Sequence, residues 1–290
     1  MLILIGRARH YLRVQSDPIR TIDPVRFTAQ ELMRLAALRN GRVRRSLVRY
    51  PDYDPFFATD PVPEIDIPPE PYVDPLSALD DPFSGDLLLP KWGIIKPAAT
   101  PGITVGGGYA RIPIIGGGSG VNRTFWFNAF DGLLLNQACP LNFDARVYAE
   151  ARNAADDAAA PTEDFKIVGL SALDTSGPPY NYVHVGFGSN GTGALQAEHK
   201  STEDSVSHFD YIPNPSGAGW LRLLRIGQIF STFFGPSQDG PWTLINTVNR
   251  SVATPAMPNT VALGLMTYSN VDGPSDILGR FRDFTVRTPS

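Results

Sequence analysis

The clearest two-residue periodicity in the chain runs from Trp220 to Val286. Trp220-Leu221-Arg222-Leu223-Leu224-Arg225 sets Leu221 and Leu223 on one face and Arg222 on the other. Ile229–Phe234 is β-branched and aromatic, which suits a pleated, half-buried surface. Between them, Ile226-Gly227-Gln228 predicts a tight hairpin, because Gly227 can take the positive φ such a turn needs. Ser237-Gln238-Asp239-Gly240 predicts a second turn, with Trp242 opening the next strand. The same reading places strands at 92–95, 109–114, 124–127, 143–150, 165–172, 182–186, 196–200, 206–211, 220–225, 228–234, 242–248, 261–267 and 280–287. In one of them Phe143, Ala145, Val147 and Ala149 alternate with Asp144, Arg146, Tyr148 and Glu150, the pattern of a strand buried on one face. More than ten strands over residues 91–290, without a helix, predict two packed sheets.

Four motifs in the same region resemble a known family. They are Trp220, Leu221, Arg222, Leu223, Arg225, Gly227 and Phe230; then Ser237, Asp239, Gly240 and Trp242; then Val261, Leu263, Gly264, Leu265 and Ser269; then Phe281, Asp283, Phe284 and Val286. Their order and spacing resemble the C-terminal half of a concanavalin A-like lectin/glucanase domain, closest to the branch labelled regulation of enolase protein 1-like. The resemblance implies an all-β, concanavalin A-like jelly-roll sandwich with Leu221, Leu223, Leu263, Leu265, Phe284 and Val286 in its core. It says little about activity, since this sandwich carries lectins, hydrolases and inert modules alike.

Charge divides the rest of the chain. Residues 1–50 hold eleven Arg, no Lys and three acids, a net of +8. Leu2–Ile5 and His10–Val14 read as short strands. Thr28-Ala29-Gln30-Glu31 is a capping box with Phe27 and Leu32 at the staple positions, and Asn40-Gly41 is a stop, predicting one short helix over 29–39. Its face of Leu32, Leu35, Ala36 and Arg39 cannot be buried by one helix alone. Residues 51–90 reverse the sign, with ten Pro, ten acids and no Lys or Arg. Pro fixes φ and restrains its predecessor, so this stretch reads as an extended acidic strap. The expected organisation is an Arg-rich arm (1–50), a Pro-rich strap (51–90) and a β-sandwich (91–290).

Overall composition adds limits. The chain is 42% hydrophobic, with 27 Gly and 27 Pro, as expected for many strands joined by turns. The single Cys139 excludes an intramolecular disulfide framework. No apolar run approaches a membrane span. Met1–Ile5 is apolar, but Arg7, Arg9 and Arg13 follow it, the reverse of a signal peptide, so secretion by the usual route is not expected.

Candidate chemistry is sparse. Glycosidases on this fold set paired carboxylates on one strand. Glu198 and Glu203 flank a His-Lys pair and Glu163-Asp164 begins a strand, but an exposed strand face is the expected reading of both. Gly116–Gly120 lacks the spacing of a nucleophile elbow, and Gly188–Gly193 lacks the Lys and following helix of a P-loop. His10, His184, His199 and His208 lack metal-ligand spacing. Asn270, Asp272 and Asp276 lack a bidentate Glu for calcium. No cofactor or metal is therefore expected. Trp126, Tyr180, Tyr182 and Trp242 are candidate glycan-binding aromatics.

The arm can pair with nucleic acid, with an acidic protein surface, or with solvent, and Arg without Lys favours bidentate pairing. A charged arm followed by a sandwich is the architecture of virion proteins whose arms thread between subunits. The expectation is a non-catalytic structural protein of a virus-like assembly, a tailed-bacteriophage decoration, head–tail or fibre-base protein located in the virion. It would dock on other virion proteins and on copies of itself through Leu2, Leu4, Leu32, Leu35, Arg39, Arg42, Arg44, Arg45 and Arg49. A host surface glycan is a candidate partner; membrane and nucleic acid are not expected. The alternatives are a free-standing carbohydrate-binding module and a glycoside hydrolase.

Overall fold

The computed structural model describes residues 2–5, 10–13, 73–95, 102–114, 132–161, 165–189, 194–251, 256–269 and 277–289. The chain divides into two compact units, Met1–Pro69 and Glu70–Ser290. In the first, β1 (Leu2–Ile5) pairs antiparallel with β2 (His10–Arg13), Leu2 opposite Arg13 and Ile5 opposite His10. The helix expected over 29–39 lies outside the described residues.

The second unit is the sandwich. One seven-stranded antiparallel sheet contains β3 (Gly93–Ile95), β6 (Leu133–Cys139), β8 (Lys166–Leu173), β9 (Tyr182–Ser189), β10 (Gln196–Glu203), β11 (Val206–Pro213) and β15 (Val261–Ser269). Its order is β11-β10-β9-β8-β15-β6-β3. The second sheet contains β4 (Thr104–Gly106), β5 (Tyr109–Pro113), β7 (Phe143–Asn153), β12 (Ala218–Ile226), β13 (Ile229–Gly235), β14 (Thr243–Asn249) and β16 (Ile277–Arg287). Its order is β14-β13-β12-β7-β16-β5-β4. No described helix is long and apolar enough to cross a membrane.

The core lies where the inward faces meet. Val168, Leu170, Val185, Phe187, Leu263 and Leu265 come from the first sheet, and Val147, Ala149, Leu221, Leu223, Phe281 and Val286 from the second; all are buried. Each fully buried aliphatic side chain of this kind contributes about 1.5–3 kcal/mol. The six core positions expected from sequence are all buried, Phe284 included. The apolar set of β7 faces the core as expected, but of its polar set only Arg146 and Tyr148 are partly exposed, while Asp144 and Glu150 are buried beside arginines. Gly227 turns β12 into β13 at φ +61.

The end of the acidic stretch packs on this unit. Asp74 caps a 3-10 turn, Pro75–Leu79, by accepting from the Leu76 backbone N–H at 2.9 Å. Asp81 bridges Phe284 of β16 through the backbone. Its carboxylate accepts from Trp92 Nε1 at 2.7 Å and from the Phe83 N–H at 2.8 Å. Trp92 lies between Phe83 and Phe284, with ring centroids at 5.7 and 5.1 Å.

Candidate functional site

Strand parity points a second set of side chains out of the first sheet, away from the core. On β10 these are Gln196, Glu198, Lys200 and Thr202. Register sets Gly186 opposite Glu198 and His184 opposite Lys200 on β9. One strand further, Ser171 of β8 lies opposite His184. On β15 the outward set includes Met266 and Tyr268, next to Gly169 and Ile167. Leu134, Ile167, Leu173, Tyr182, Ala262, Met266 and Tyr268 form an apolar cluster on this face, separate from the main core. Glu198, His184 and Lys200 sit among them with no exposed surface.

A charge so shielded persists only if its neighbours hold it. Glu198 Oε1 lies 3.0 Å from His184 Nε2 and accepts from Tyr268 Oη at 3.1 Å. Burial alone pushes the Glu198 carboxyl up. The His184 hydrogen bond, the Lys200 charge and the Tyr268 hydroxyl together bring it below the usual carboxylate range, so the anion is the resting form. Burial drives His184 down to about 4, against the pull of Glu198. His184 is therefore neutral, and Nε2 carries the proton it shares with the carboxylate. That leaves Nδ1 as a bare acceptor, and it has no hydrogen-bond partner. Burial also lowers Lys200, to about 7, partly offset by Glu198. The Lys200 Nζ lies 5.1 Å from the Tyr268 ring centroid and 5.4 Å from that of Tyr182, cation–π distances that supply part of the lost hydration. Both tyrosine hydroxyls are raised, chiefly by burial, and stay protonated.

The face opens at its edge strand. Tyr211 of β11 lies opposite Glu198, and Phe209 opposite Lys200. Their rings stack at 6.3 Å and 17°, and they are 47% and 41% exposed. An exposed aromatic pair beside a polar cluster is a surface on which a sugar ring can stack.

The expected glycan candidates fall elsewhere or differ in exposure. Tyr182 is fully buried on the same face, and Tyr180 is half-buried near its rim. Trp242 belongs to the other sheet, with Arg146 and Arg222 each 5.7 Å over its ring. Trp126, Leu32, Leu35, Arg39, Arg42, Arg44, Arg45 and Arg49 lie outside the described residues, as do Asn270, Asp272 and Asp276. Leu2 and Leu4 are on β1. His184 and His199 do not share a face: His199 points inward and its Nδ1 meets Thr232 Oγ1 of the opposite sheet at 3.0 Å. Among the described residues no group of three or more His, Cys, Asp or Glu could hold a metal ion.

Glu198 departs most from expectation. Its alternation with Gln196 and Lys200 reads as an exposed face, yet all three are buried. The available signal was β10 itself: three polar side chains on one face, next to the apolar Tyr182-Val183-His184-Val185 run. Phe209 and Tyr211 were legible as alternating aromatics, but their place beside Glu198 is a matter of register.

No family model matches the chain, and a comparison with curated proteins returns no match. Solved structures do. A functionally unknown protein from Saccharomyces cerevisiae is 13% identical over 69% of this chain and 97% of its own, with a TM-score of 0.52. The GH43 protein BlXynB of Bacillus licheniformis is 12% identical over 72% of this chain and 39% of its own, TM-score 0.54. The GH43B protein of a Bacteroides ovatus xyloglucan locus is 15% identical over 78% and 42%, TM-score 0.52. This chain thus spans about two fifths of each GH43 chain. These likenesses correct two expectations. The reading as a non-catalytic virion component gives way, since the fold is shared with proteins named as glycoside hydrolases. The arm's charge says what it can pair with, not that its partner is a capsid. The reading as a non-enzyme, which rested on the absence of paired carboxylates on one strand and on Glu198 being exposed, gives way with it on the same likenesses. The sequence and these structures agree on a concanavalin A-like jelly-roll sandwich.

Proposed function

We propose that this protein is a glycoside hydrolase that acts on a polysaccharide across the outer face of the first sheet. The observation that carries this reading is Glu198, a fully shielded carboxylate held as the anion by His184 and Tyr268. Buried ionised groups with perturbed protonation concentrate at functional sites. Hydrolysis of a glycosidic bond needs an anion facing the anomeric carbon and a proton for the leaving oxygen. Glu198 supplies the first. On the same face Lys200, at about 7, supplies the second, since a donor works best with a pKa near the working pH. The carbon–oxygen bond breaks, the leaving oxygen takes the Lys200 proton, and water adds at the anomeric carbon and returns a proton. Phe209 and Tyr211 stack the sugar units leading into the site. Because Glu198 and Lys200 have no exposed surface, substrate reaches them only when the structure opens over this face.

The test is release of reducing sugar from xylan, xyloglucan and mixed β-glucan by the purified protein. At least one should be cleaved, and Glu198→Gln should lower kcat by roughly 10²–10⁴-fold. Tyr211→Ala, at an exposed position that leaves folding intact, should raise KM more than it lowers kcat. Glycan binding without cleavage, or full activity in a folded Glu198→Gln variant, would overturn the reading.

A further inference from the structure

The outer face of the second sheet is built from arginine and aromatic side chains. Arg146 and Arg222 share Asp144, at 2.7 and 2.8 Å, and lean over Trp242. Arg152 and Arg280 share Glu150, each at 3.3 Å. Arg280 also covers the Tyr109 ring at 4.3 Å. Arg146 also pairs with Asp239 and Arg280 with Asp157, each at 3.6 Å, so in each group two guanidiniums meet two carboxylates.

Arg282 is different. A register shift between Arg282 and Thr285 interrupts the pairing of β16 with β7, and Asp283 takes φ +54 there. This bulge turns Phe284 into the core and leaves Arg282 outward on the near side. Its guanidinium lies 4.3 Å over the Tyr148 ring and 5.8 Å from that of Tyr109. Stacking fixes the plane of the group without using its donors. Its Nε has no hydrogen-bond partner, and its ion pair with Asp283 stands at the limit, 4.0 Å. The side chain is 41% exposed. That Nε is itself shielded from solvent, so the group open to a ligand is the terminal pair of nitrogens; a planar, oriented guanidinium with these donors unspent can capture a two-oxygen anion.

We propose that Arg282, with Arg280 and Arg111 beside it around Tyr109, binds the carboxylate or sulfate groups of an acidic polysaccharide. The Arg111 guanidinium, 5.7 Å from the Tyr109 ring, completes the cluster. A glycan fits better than a nucleic acid for two reasons. The Tyr109, Tyr148 and Trp242 faces are covered by guanidiniums, which leaves no platform for bases. The carboxylates of Asp144, Glu150 and Asp283 among the arginines repel a continuous phosphate track but accept hydrogen bonds from sugar hydroxyls. This inference stands on the opposite sheet from Glu198 and does not require bond cleavage.

The experiment is affinity electrophoresis of the full chain in gels containing polygalacturonate, chondroitin sulfate, neutral xylan or single-stranded DNA at low salt. Retardation by polygalacturonate identifies a carboxylate ligand, and by chondroitin sulfate a sulfate ligand. Arg282→Gln should weaken that retardation roughly tenfold or more, as expected for loss of hydrogen bonds to a charged group. Arg282→Lys should fall between, keeping charge but losing the fork. Arg287→Gln is the control: it removes the same charge from an equally exposed arginine already paired with Asp80 at 2.7 Å, and should keep binding intact. Absence of retardation by both acidic polymers, equal loss in Arg282→Gln and Arg287→Gln, or tighter binding of DNA would overturn the proposal.

Discussion

The two outer faces of this sandwich solve the problem of carrying charge in opposite ways. On the first sheet, charge is scarce and shielded: Glu198, Lys200 and His184 lie within an apolar cluster. On the second it is abundant and reached by water at its rim, with partly exposed arginines shared around the buried Asp144 and Glu150. Burial in the apolar cluster moves the protonation equilibria of His184 and Lys200, whereas on the second face burial pushes the Asp144 carboxyl up and Arg146 and Arg222 bring it below the usual range. The comparison teaches that one backbone architecture can carry a shielded set of charges on one face and a partly hydrated, arginine-rich set on the other.

The sharpest way to break the comparison is to delete one carboxylate from each face. Glu198→Ala should cost about 3–5 kcal/mol, because it removes the shielded acceptor that His184 and Tyr268 hydrogen-bond. Asp144→Ala should cost only about 1 kcal/mol, because Arg146 and Arg222 can be hydrated. Urea unfolding of the two variants checks this, and equal costs would mean the faces are not energetically distinct. Cys139 offers a second readout. Burial pushes its thiol up to about 12, so alkylation at neutral pH reports unfolding.

The next effect is acid sensitivity, which should belong to the shielded groups. His184 and His199 stand at about 4 and about 3 in the folded chain, against 6.5 for an unperturbed imidazole. The unfolded chain therefore binds protons first. The stability these two residues support is intact above about 6.5 and is lost as pH falls toward 4 and below. Glu198, also depressed, adds to the loss below its unfolded value of 4.5. Urea midpoints at pH 7, 5.5 and 4.5 should decline steadily, and His199→Gln should flatten the decline. An unchanged slope in that variant would remove His199 from the account.

On the alkaline side Lys200 acts with the same sign. Its folded value of about 7 lies below the 10.5 of a free lysine, so stability should rise between those two pH values. Lys200→Met should abolish the rise, measured by thermal unfolding at pH 7, 8 and 9. The smallest effect belongs to the open face: Arg287→Gln should change stability by less than about 1 kcal/mol, since Arg287 is exposed and its Asp80 partner only half-buried.

Much of the fold was legible where one face of a strand meets water. Phe143 to Glu150 alternates cleanly, and the Gly227 hairpin announces itself. β6 was missed because Leu133-Leu134-Leu135 is buried on both faces and shows no period of two. β4 is too short to show a pattern. The site was harder for the same reason as β6. Glu198 alternates like a solvated residue, and only sheet order and cross-strand register reveal that Tyr268, from a strand 70 residues away, supplies its hydrogen bond. Arg282 gives no signal by itself; its unspent donors follow from a bulge that the motif Phe281–Val286 does not encode in its spacing.

The edge strand β11 carries a further consequence, for solubility. It is the outermost strand of its sheet, and one side of its backbone has no described strand to pair with. The exposed Phe209 and Tyr211 make that edge an apolar ribbon, the kind along which two copies can zip together. His208 and Asp210 interrupt it on the opposite face, and Pro213 closes the strand. Asp210 is also tied to Asn246 of β14 by a hydrogen bond, which holds the charge at the edge. A change such as Asp210→Val would leave the sandwich core untouched and still make the protein precipitate as its concentration rises.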